Sequence, residues 1–294
     1  MQSTASRTAQ HVALFRALES VRRGPRLFTD PYAASCLGRG HRLALTVARC
    51  PGVARFLERR IDRRWPAGPR ASAVVRTRLI DDLVVDALEH GTRHLVLLGA
   101  GYDSRAFRLD AARTATVLEV DHPATQAVKR GLAGAWSARA GRPGGGVRFV
   151  PADLMREDLG DVLRDAGPGD DRAVVVWEGV TNYLDAASVH ATLTALATAL
   201  APGSRIVLTY MDRRALDGTG DFDGVTAWAD TVRAAGEPFT FGFVPDELPA
   251  YLAERGLELT LDRSAREAAA HYLEPLGRHE PAAPFYRIAQ AEVR

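Results

Sequence analysis

The feature that most constrains this chain is a series of short apolar runs, each bounded by turn residues and separated by helix-forming stretches. The first is His94-Leu95-Val96-Leu97-Leu98. Val117-Leu118-Glu119-Val120, Val147-Arg148-Phe149-Val150, Ala173-Val174-Val175-Val176-Trp177 and Arg205-Ile206-Val207-Leu208-Thr209-Tyr210 come after it. A strand that is apolar on both faces is buried on both sides, as in a parallel sheet covered by helices. The helical pattern Ser188 to Leu200, stopped by Pro202-Gly203, separates the last two. Such alternation predicts a doubly wound α/β fold. Arg142-Pro143-Gly144-Gly145-Gly146 reads as a loop before the third strand. After Tyr210 the regularity lapses into a Gly/Asp-rich loop, Asp217 to Gly224, with a helix predicted over Val225–Ala235 and another over Pro245–Arg255. Leu257–Leu261 and Phe285–Ala291 alternate as a closing antiparallel pair would. The expected fold is therefore Rossmann-like α/β, with a mostly parallel seven-stranded sheet ending in that pair.

Upstream of the first strand the pattern is helical. From Thr8 to about Leu57 it is broken by Gly24-Pro25, and Thr29-Asp30-Pro31 reads as a helix start with Pro at the first helical position. Trp65-Pro66-Ala67-Gly68-Pro69 is a plausible hinge. Beyond it, Leu79, Ile80, Leu83, Val84, Ala87 and Leu88 recur at helical spacing between Asp81, Asp82 and Asp86, and Gly91 ends the helix. We divide the chain into an N-terminal helical segment, 1–70, and a main domain, 71–294, with an insertion at 211–240. Its 294 residues, 46% hydrophobic, suffice for one large core.

A net charge of +2 does not mark the molecule as a polyanion binder. Arg22-Arg23, Arg59-Arg60 and Arg63-Arg64 crowd the first 80 residues, but the aromatic interleaving of a single-strand nucleic-acid binder is missing. These clusters read as solvated helix faces. Cys36 and Cys50 offer neither a disulfide framework nor metal-ligand spacing, which suits a reducing compartment. The polar stretch Met1 to Gln10 lacks a signal-peptide core, and no run of 18 apolar residues occurs. The expectation is a cytoplasmic protein with no metal, nucleic-acid or membrane partner.

Chemistry gathers at the ends of the predicted strands. Gly99-Ala100-Gly101-Tyr102-Asp103-Ser104 succeeds the first, where glycines let a backbone approach a ligand. A dinucleotide fingerprint would place a third glycine at Ser104, and Asp103 is unfavourable beside a pyrophosphate. Asp121 closes the second strand, about twenty residues on, where an acid can accept hydrogen bonds from ribose hydroxyls. Asp153 closes the third, and Trp177-Glu178-Gly179-Val180-Thr181-Asn182-Tyr183-Leu184 closes the fourth.

Together these residues resemble the leucine carboxyl methyltransferase family, which embraces protein-phosphatase methyltransferases and bacterial small-molecule carboxyl O-methyltransferases. The resemblance runs from Ser6-Arg7-Thr8-Ala9 to about Gly256. It rests on Asp30-Pro31-Tyr32, Arg76-Thr77-Arg78 with Asp81-Asp82, Leu97 to Arg105, Glu119-Val120-Asp121-His122-Pro123, and Trp177-Glu178-Gly179 with Tyr183-Leu184. It is strongest to the small-molecule branch.

The resemblance implies S-adenosyl-L-methionine as cofactor and S-adenosyl-L-homocysteine as product. It implies that Arg76 salt-bridges the cofactor carboxylate, a task suited to an arginine fork. Gly99 and Gly101 would lie under the methionine portion, Asp121 would bind the ribose, Asp153 with Leu154 would flank the adenine, and Glu178 would lie near the ammonium group; Ala100, His122 and Gly179 join them as cofactor-binding positions. Tyr183 falls where the family has an active-site tyrosine, although a core tyrosine fits equally. Arg105 and Asp103 form, on an alternative reading, a structural pair. The N-terminal helices and the 211–240 insertion are expected to close over the acceptor, with Arg16 a candidate partner for its carboxylate.

A carboxylate acceptor is ionised near neutral pH and needs no general base. A hydroxyl or phenol would need one, for which His122, His271 or a tyrosine is available. The expected activity is O-methylation of a small secondary metabolite, on a carboxyl group or, as the alternative, a hydroxyl. Two rivals are a non-catalytic S-adenosylmethionine-binding regulator and a nicotinamide-dependent oxidoreductase; Ser104 and the Trp177-Glu178-Gly179 segment disfavour the latter.

Overall fold

The computed structural model describes residues 7–141, 146–154, 157–234 and 236–294. Ser6, the 142–145 portion of the predicted loop and Ala235 lie outside them. In chain order the helices and strands are α1 (Arg7–Val21), α2 (Arg39–Ala48), α3 (Pro51–Arg64), α4 (Pro69–Glu89), β1 (His94–Leu98), α5 (Arg105–Arg108), β2 (Thr116–Asp121) and α6 (Pro123–Arg139). Next come β3 (Val147–Pro151), α7 (Leu159–Ala166), β4 (Ala173–Trp177), α8 (Ala186–Ala199), β5 (Arg205–Met211), α9 (Arg213–Leu216) and α10 (Val225–Ala234). The chain closes with α11 (Leu248–Ala253), β6 (Leu257–Ser264), α12 (Ala265–Tyr272) and β7 (Tyr286–Val293).

The apolar runs form the sheet they predict. Its order is β3-β2-β1-β4-β5-β7-β6, parallel from β3 to β5, with β7 antiparallel to both β5 and β6. Every residue of β4 is buried, as is every residue of β1 but His94, because helices cover both faces. The chain leaves β1 toward β2 on one side and returns to β4 on the other. That reversal opens a crevice at the carboxyl ends of β1 and β4, where open α/β sheets bind ligands.

The longest helix, α4, starts with Pro69 at its first turn, where the missing N–H costs nothing. It packs between α1 and α12 and buries the polar residues Arg70, Ser72, Arg76, Thr77 and Asp81 as well as its apolar stripe. Asp81, which in the sequence reads as the solvated side of an amphipathic helix, is held by Arg105 and Arg108 at 2.8 and 2.6 Å. Just before α4, Gly68 adopts φ +69°, and a Cβ there would fall 1.8 Å from the Pro281 carbonyl oxygen. Ion pairs span the same region: Arg278 to Glu19 (2.7 Å), Arg22 to Glu280 (3.1 Å) and Arg70 to both Asp62 (2.6 Å) and Glu280 (2.9 Å).

Two predicted helices differ. Asp30 does accept the N–H groups of Tyr32 and Ala33, as a cap would, but it leads only into a 3₁₀ turn at Ala33–Cys36. The Ser35 hydroxyl donates back to the Tyr32 carbonyl, and the backbone turns extended at Leu37 and Gly38 before α2 begins. The predicted Pro245–Arg255 helix divides into a 3₁₀ turn, Pro245–Glu247, and α11, because Pro249 lacks the N–H that a continuous helix would use.

Candidate active site

The turn after β1 is built to leave backbone exposed to a ligand. Gly99 and Gly101 take φ of +62° and +42°, a region that side chains disfavour. At Gly99 a Cβ would meet Val180 Cγ2 at 2.4 Å. The N–H groups of Gly99 and Ala100 donate to the Val120 carbonyl, and that of Gly101 donates to Asp121 Oδ2 at 2.7 Å. Asp121 Oδ1 accepts the His122 N–H at 2.7 Å. Burial pushes the Asp121 carboxyl above its ordinary range despite those two donors.

Under the turn lies a layer of compensated charge. Arg105, fully buried, donates to Asp81 (2.8 Å), Asp103 (2.5 Å) and Glu178 (2.6 Å). Glu178 spends its other oxygen on Arg76 Nε at 2.6 Å. Burial alone would raise the Asp103 and Glu178 carboxyls, but the neighbouring guanidiniums outweigh it and hold both below the usual range. Arg76 Nη1 donates to the Tyr286 hydroxyl at 2.8 Å, which donates to Thr209 Oγ1 at 3.1 Å. Arg76 Nη2 has no hydrogen-bond partner among the described residues, and Arg76 lines the cavity.

A second buried pair, Glu119 with Lys129 at 2.6 Å, sits behind the same turn. Burial pushes the Glu119 carboxyl up to about 7, more than Lys129 lowers it. The folded state therefore keeps this proton to a higher pH than the unfolded chain does. The stability it contributes is complete below the ordinary glutamate range and is lost as pH rises through about 7. Denaturant unfolding of wild type and Glu119→Gln at about pH 5 and about pH 8 should show a shallower fall in the variant. Equal slopes would remove Glu119 as the titrating group.

Above the turn is a cavity of about 670 Å³, within the range of small-molecule sites. It brings together Arg16, Arg76, Gly99, Ala100, Gly101, Asp121, His122, Asp153, Leu154, Glu178, Gly179 and Tyr183, which come from six separate stretches of sequence. The N-terminal helices wall it with Val12, Phe15, Ile61 and Trp65, and the 211–240 stretch with Trp228, Val232 and Phe239. Tyr183 lines it with its ring 5.7 Å from that of Phe239 and its hydroxyl hydrogen-bonded to Thr8. Burial, with Tyr286 and Glu237 nearby, pushes the Tyr183 phenol well above its ordinary pKa.

Arg16 reaches the cavity wall and is also tied to the protein. Its Nε stands 3.2 Å from Asp30 and its Nη2 donates to the Tyr102 carbonyl at 2.5 Å. Asp30 also accepts from the Ser104 hydroxyl at 2.7 Å, so the Asp30-Pro31-Tyr32 stretch anchors the N-terminal helices to the glycine turn. His122 lines the cavity while its ring accepts the Ala124 N–H at the start of α6. His271 lies on α12 and is not among the lining residues.

The site also contains residues that sequence reasoning missed. Tyr286 is 210 residues from the Arg76 it contacts, in a strand whose pattern signals only burial. Glu237, which accepts the Thr8 N–H at 3.3 Å, stands in an irregular stretch. Arg105 is visible in the sequence as a partner of Asp103 but not as the hub of three carboxylates. Among the described residues no cluster of three or more His, Cys, Asp or Glu could hold a metal ion, and no helix is long and apolar enough to cross a membrane.

The sheet order and the crevice define a Rossmann-like methyltransferase fold, and solved structures share it. The chain superposes on a candidate methyltransferase from Thermobifida fusca with a TM-score of 0.63 at 18% identity, covering 99% of this chain and 96% of that one. A protein from Streptomyces avermitilis gives 0.59 at 16% identity, with coverage of 99% and 98%. Among sequence relatives, a candidate S-adenosyl-L-methionine-dependent methyltransferase of Streptomyces avermitilis is 33% identical over 272 residues, 92% of this chain and 88% of its own. One from Mycolicibacterium gilvum is 35% identical over 234 residues, 76% of this chain and 71% of its own. The family model for leucine carboxyl methyltransferase matches residues 9–197. The chain belongs to the leucine carboxyl methyltransferase family and is an S-adenosyl-L-methionine-dependent methyltransferase.

Proposed function

We propose that the protein methylates a carboxylate oxygen of a small, largely apolar acceptor. The observation that carries this reading is Tyr183, a half-buried phenol kept protonated in the cavity lining beside Phe239. A phenol in that state is a hydrogen-bond donor and a poor general base. A donor is what an acceptor that is already ionised requires.

The residues fit the cofactor. When bound, S-adenosyl-L-methionine supplies a methyl group on a sulfonium sulfur, open to in-line displacement. Arg76 would take the cofactor carboxylate on its open Nη2, and Asp121 the ribose hydroxyls with its remaining lone pairs. Asp153 and Leu154 would border the adenine, and Glu178 would lie near the ammonium group. Gly99, Ala100, Gly101 and Gly179 would admit the methionine chain against bare backbone, with His122 at the ribose edge. On the acceptor side, Tyr183 would donate to one carboxylate oxygen and so orient the other toward the methyl group. Val12, Phe15, Trp65 and Trp228 would exclude water, which strips solvent from the nucleophile and favours transfer. The N-terminal segment, 1–70, and the 211–240 insertion would act as the acceptor-side cover.

Methyl esters and methyl ethers differ in chemistry, and that difference supplies the test. With methyl-labelled cofactor and a panel of apolar carboxylic acids and phenols, product label should be released as methanol by mild base. Label that resists base would identify an ether and overturn the carboxylate reading. Tyr183→Phe should lower acceptor kcat/KM by about tenfold or more, the worth of a hydrogen bond to a charged group. Its affinity for S-adenosylhomocysteine should be unchanged.

A further inference from the structure

We propose that the α2–α3 hairpin is a docking surface for an anionic lipid bilayer. The hairpin, residues 39–64, carries eight arginines against two acids, Glu58 and Asp62. Both acids are consumed inside the protein, by Arg22 at 3.0 Å and Arg70 at 2.6 Å. The outward face is therefore uniformly cationic, and Arg55, Arg59, Arg60 and Arg63 are all exposed. These four surround Phe56 in a shallow concavity of about 450 Å³.

The same hairpin holds three of the five large hydrophobic side chains most exposed in the described structure. They are Leu43, Val47 and Phe56, at 68%, 48% and 60% exposure. Solvated arginine faces, as the sequence alone suggests, have no use for them. Leu43 and Val47 are spaced i, i+4 and so form one stripe of α2.

Cationic heads with apolar tips between them suit the bilayer interface, where guanidiniums meet lipid phosphates and Phe or Leu enters the acyl boundary. The other occupants fit less well. A second copy would bring arginines against arginines. Nucleic acid would gain stacking from one ring only and nothing from Leu43 or Val47. Ile61 and Trp65, from the inner side of α3 and its end, line the active-site cavity. A docked membrane would thus lie against the outer side of a cavity wall. Docking of this kind is independent of which acceptor oxygen is methylated.

The test is flotation of the purified chain with vesicles of phosphatidylglycerol and phosphatidylcholine, beside vesicles of phosphatidylcholine alone. The expected result is recovery with the anionic vesicles only, lost at high salt. The double variant Arg59→Glu/Arg63→Glu should weaken that binding by about tenfold or more. Phe56→Ser should weaken it without changing its salt dependence. None of these residues touches the active-site cavity, so affinity for S-adenosylhomocysteine should be retained and will certify folding. No binding to anionic vesicles, equal binding to neutral ones, or variants that bind as wild type does would overturn the proposal. A dimer in solution that Phe56→Ser dissociates, or retention on polyglutamate, without vesicle binding would overturn it in favour of a protein partner.

Discussion

Replacing Arg105 with Ala is expected to remove about 3–5 kcal/mol of stability or more, the scale for breaking a buried charge pair by deleting one partner. The side chain is fully buried and answers Asp81, Asp103 and Glu178 at once. Arg108 still pairs with Asp81, and Arg76 with Glu178, so two of the carboxylates retain a cation. Asp103 loses its direct ion pair and keeps the more distant charges of Lys129 and Arg16. Since domains of this kind keep only about 5–15 kcal/mol in total, the variant should unfold at a far lower denaturant concentration. Arg105→Lys should recover little, because one ammonium cannot reproduce the planar fork that reaches three carboxylates. A midpoint close to wild type for the Ala variant would mean that the layer is not an energetic unit.

The second large effect separates binding from folding. Asp121→Asn is expected to weaken S-adenosylhomocysteine binding by about 1.5–3 kcal/mol, the value of hydrogen bonds to an ionised acceptor. Its effect on stability should be much smaller, because the N–H group that loses its acceptor is offset by relief of a desolvated charge. The carboxylate is held charged in a buried place that pushes its pKa up, so neutralising it relieves a desolvation cost. The amide oxygen can still accept from Gly101 or His122, whereas the amide nitrogen cannot accept from a ribose hydroxyl. Calorimetric titration beside thermal unfolding measures both quantities on one sample. Affinity that survives the substitution would take Asp121 out of the cofactor site; affinity and stability falling together would make it structural.

The fold is legible in the sequence because strand burial and helix alternation are written locally. β1, β4 and β5 need only their apolar runs, and Gly99-Ala100-Gly101 and Asp121 need only their places after β1 and β2. The missed features depend on distance. Nothing local to Tyr286 points to Arg76, and the expectation that 211–240 covers the acceptor does not extend to which side chains, Trp228 and Phe239 among them, line the cavity. The partner of Arg16 is hidden for a related reason. A sequence shows the arginine but not Asp30 already beside it. Likewise Thr29-Asp30-Pro31 carries a sound cap signal, and the turn it starts ends where the backbone becomes extended at Leu37 and Gly38.

The clasp around Pro281 has a consequence for how the chain is made. Gly68 sits beneath the Pro281 carbonyl, Glu19 is held by Arg278, and Arg22 and Arg70 share Glu280. A ribosome delivers the helices that wall the cavity well before their fastening, Glu19 and Arg278 being 259 positions apart in sequence. Contacts so remote in sequence close late, after the intervening chain has been synthesised and its sheet assembled. The nascent N-terminal helices can pack on α4 early, but the buried Glu19 lacks its guanidinium partner until Arg278 has been made, and in that interval the cavity wall is least firmly held.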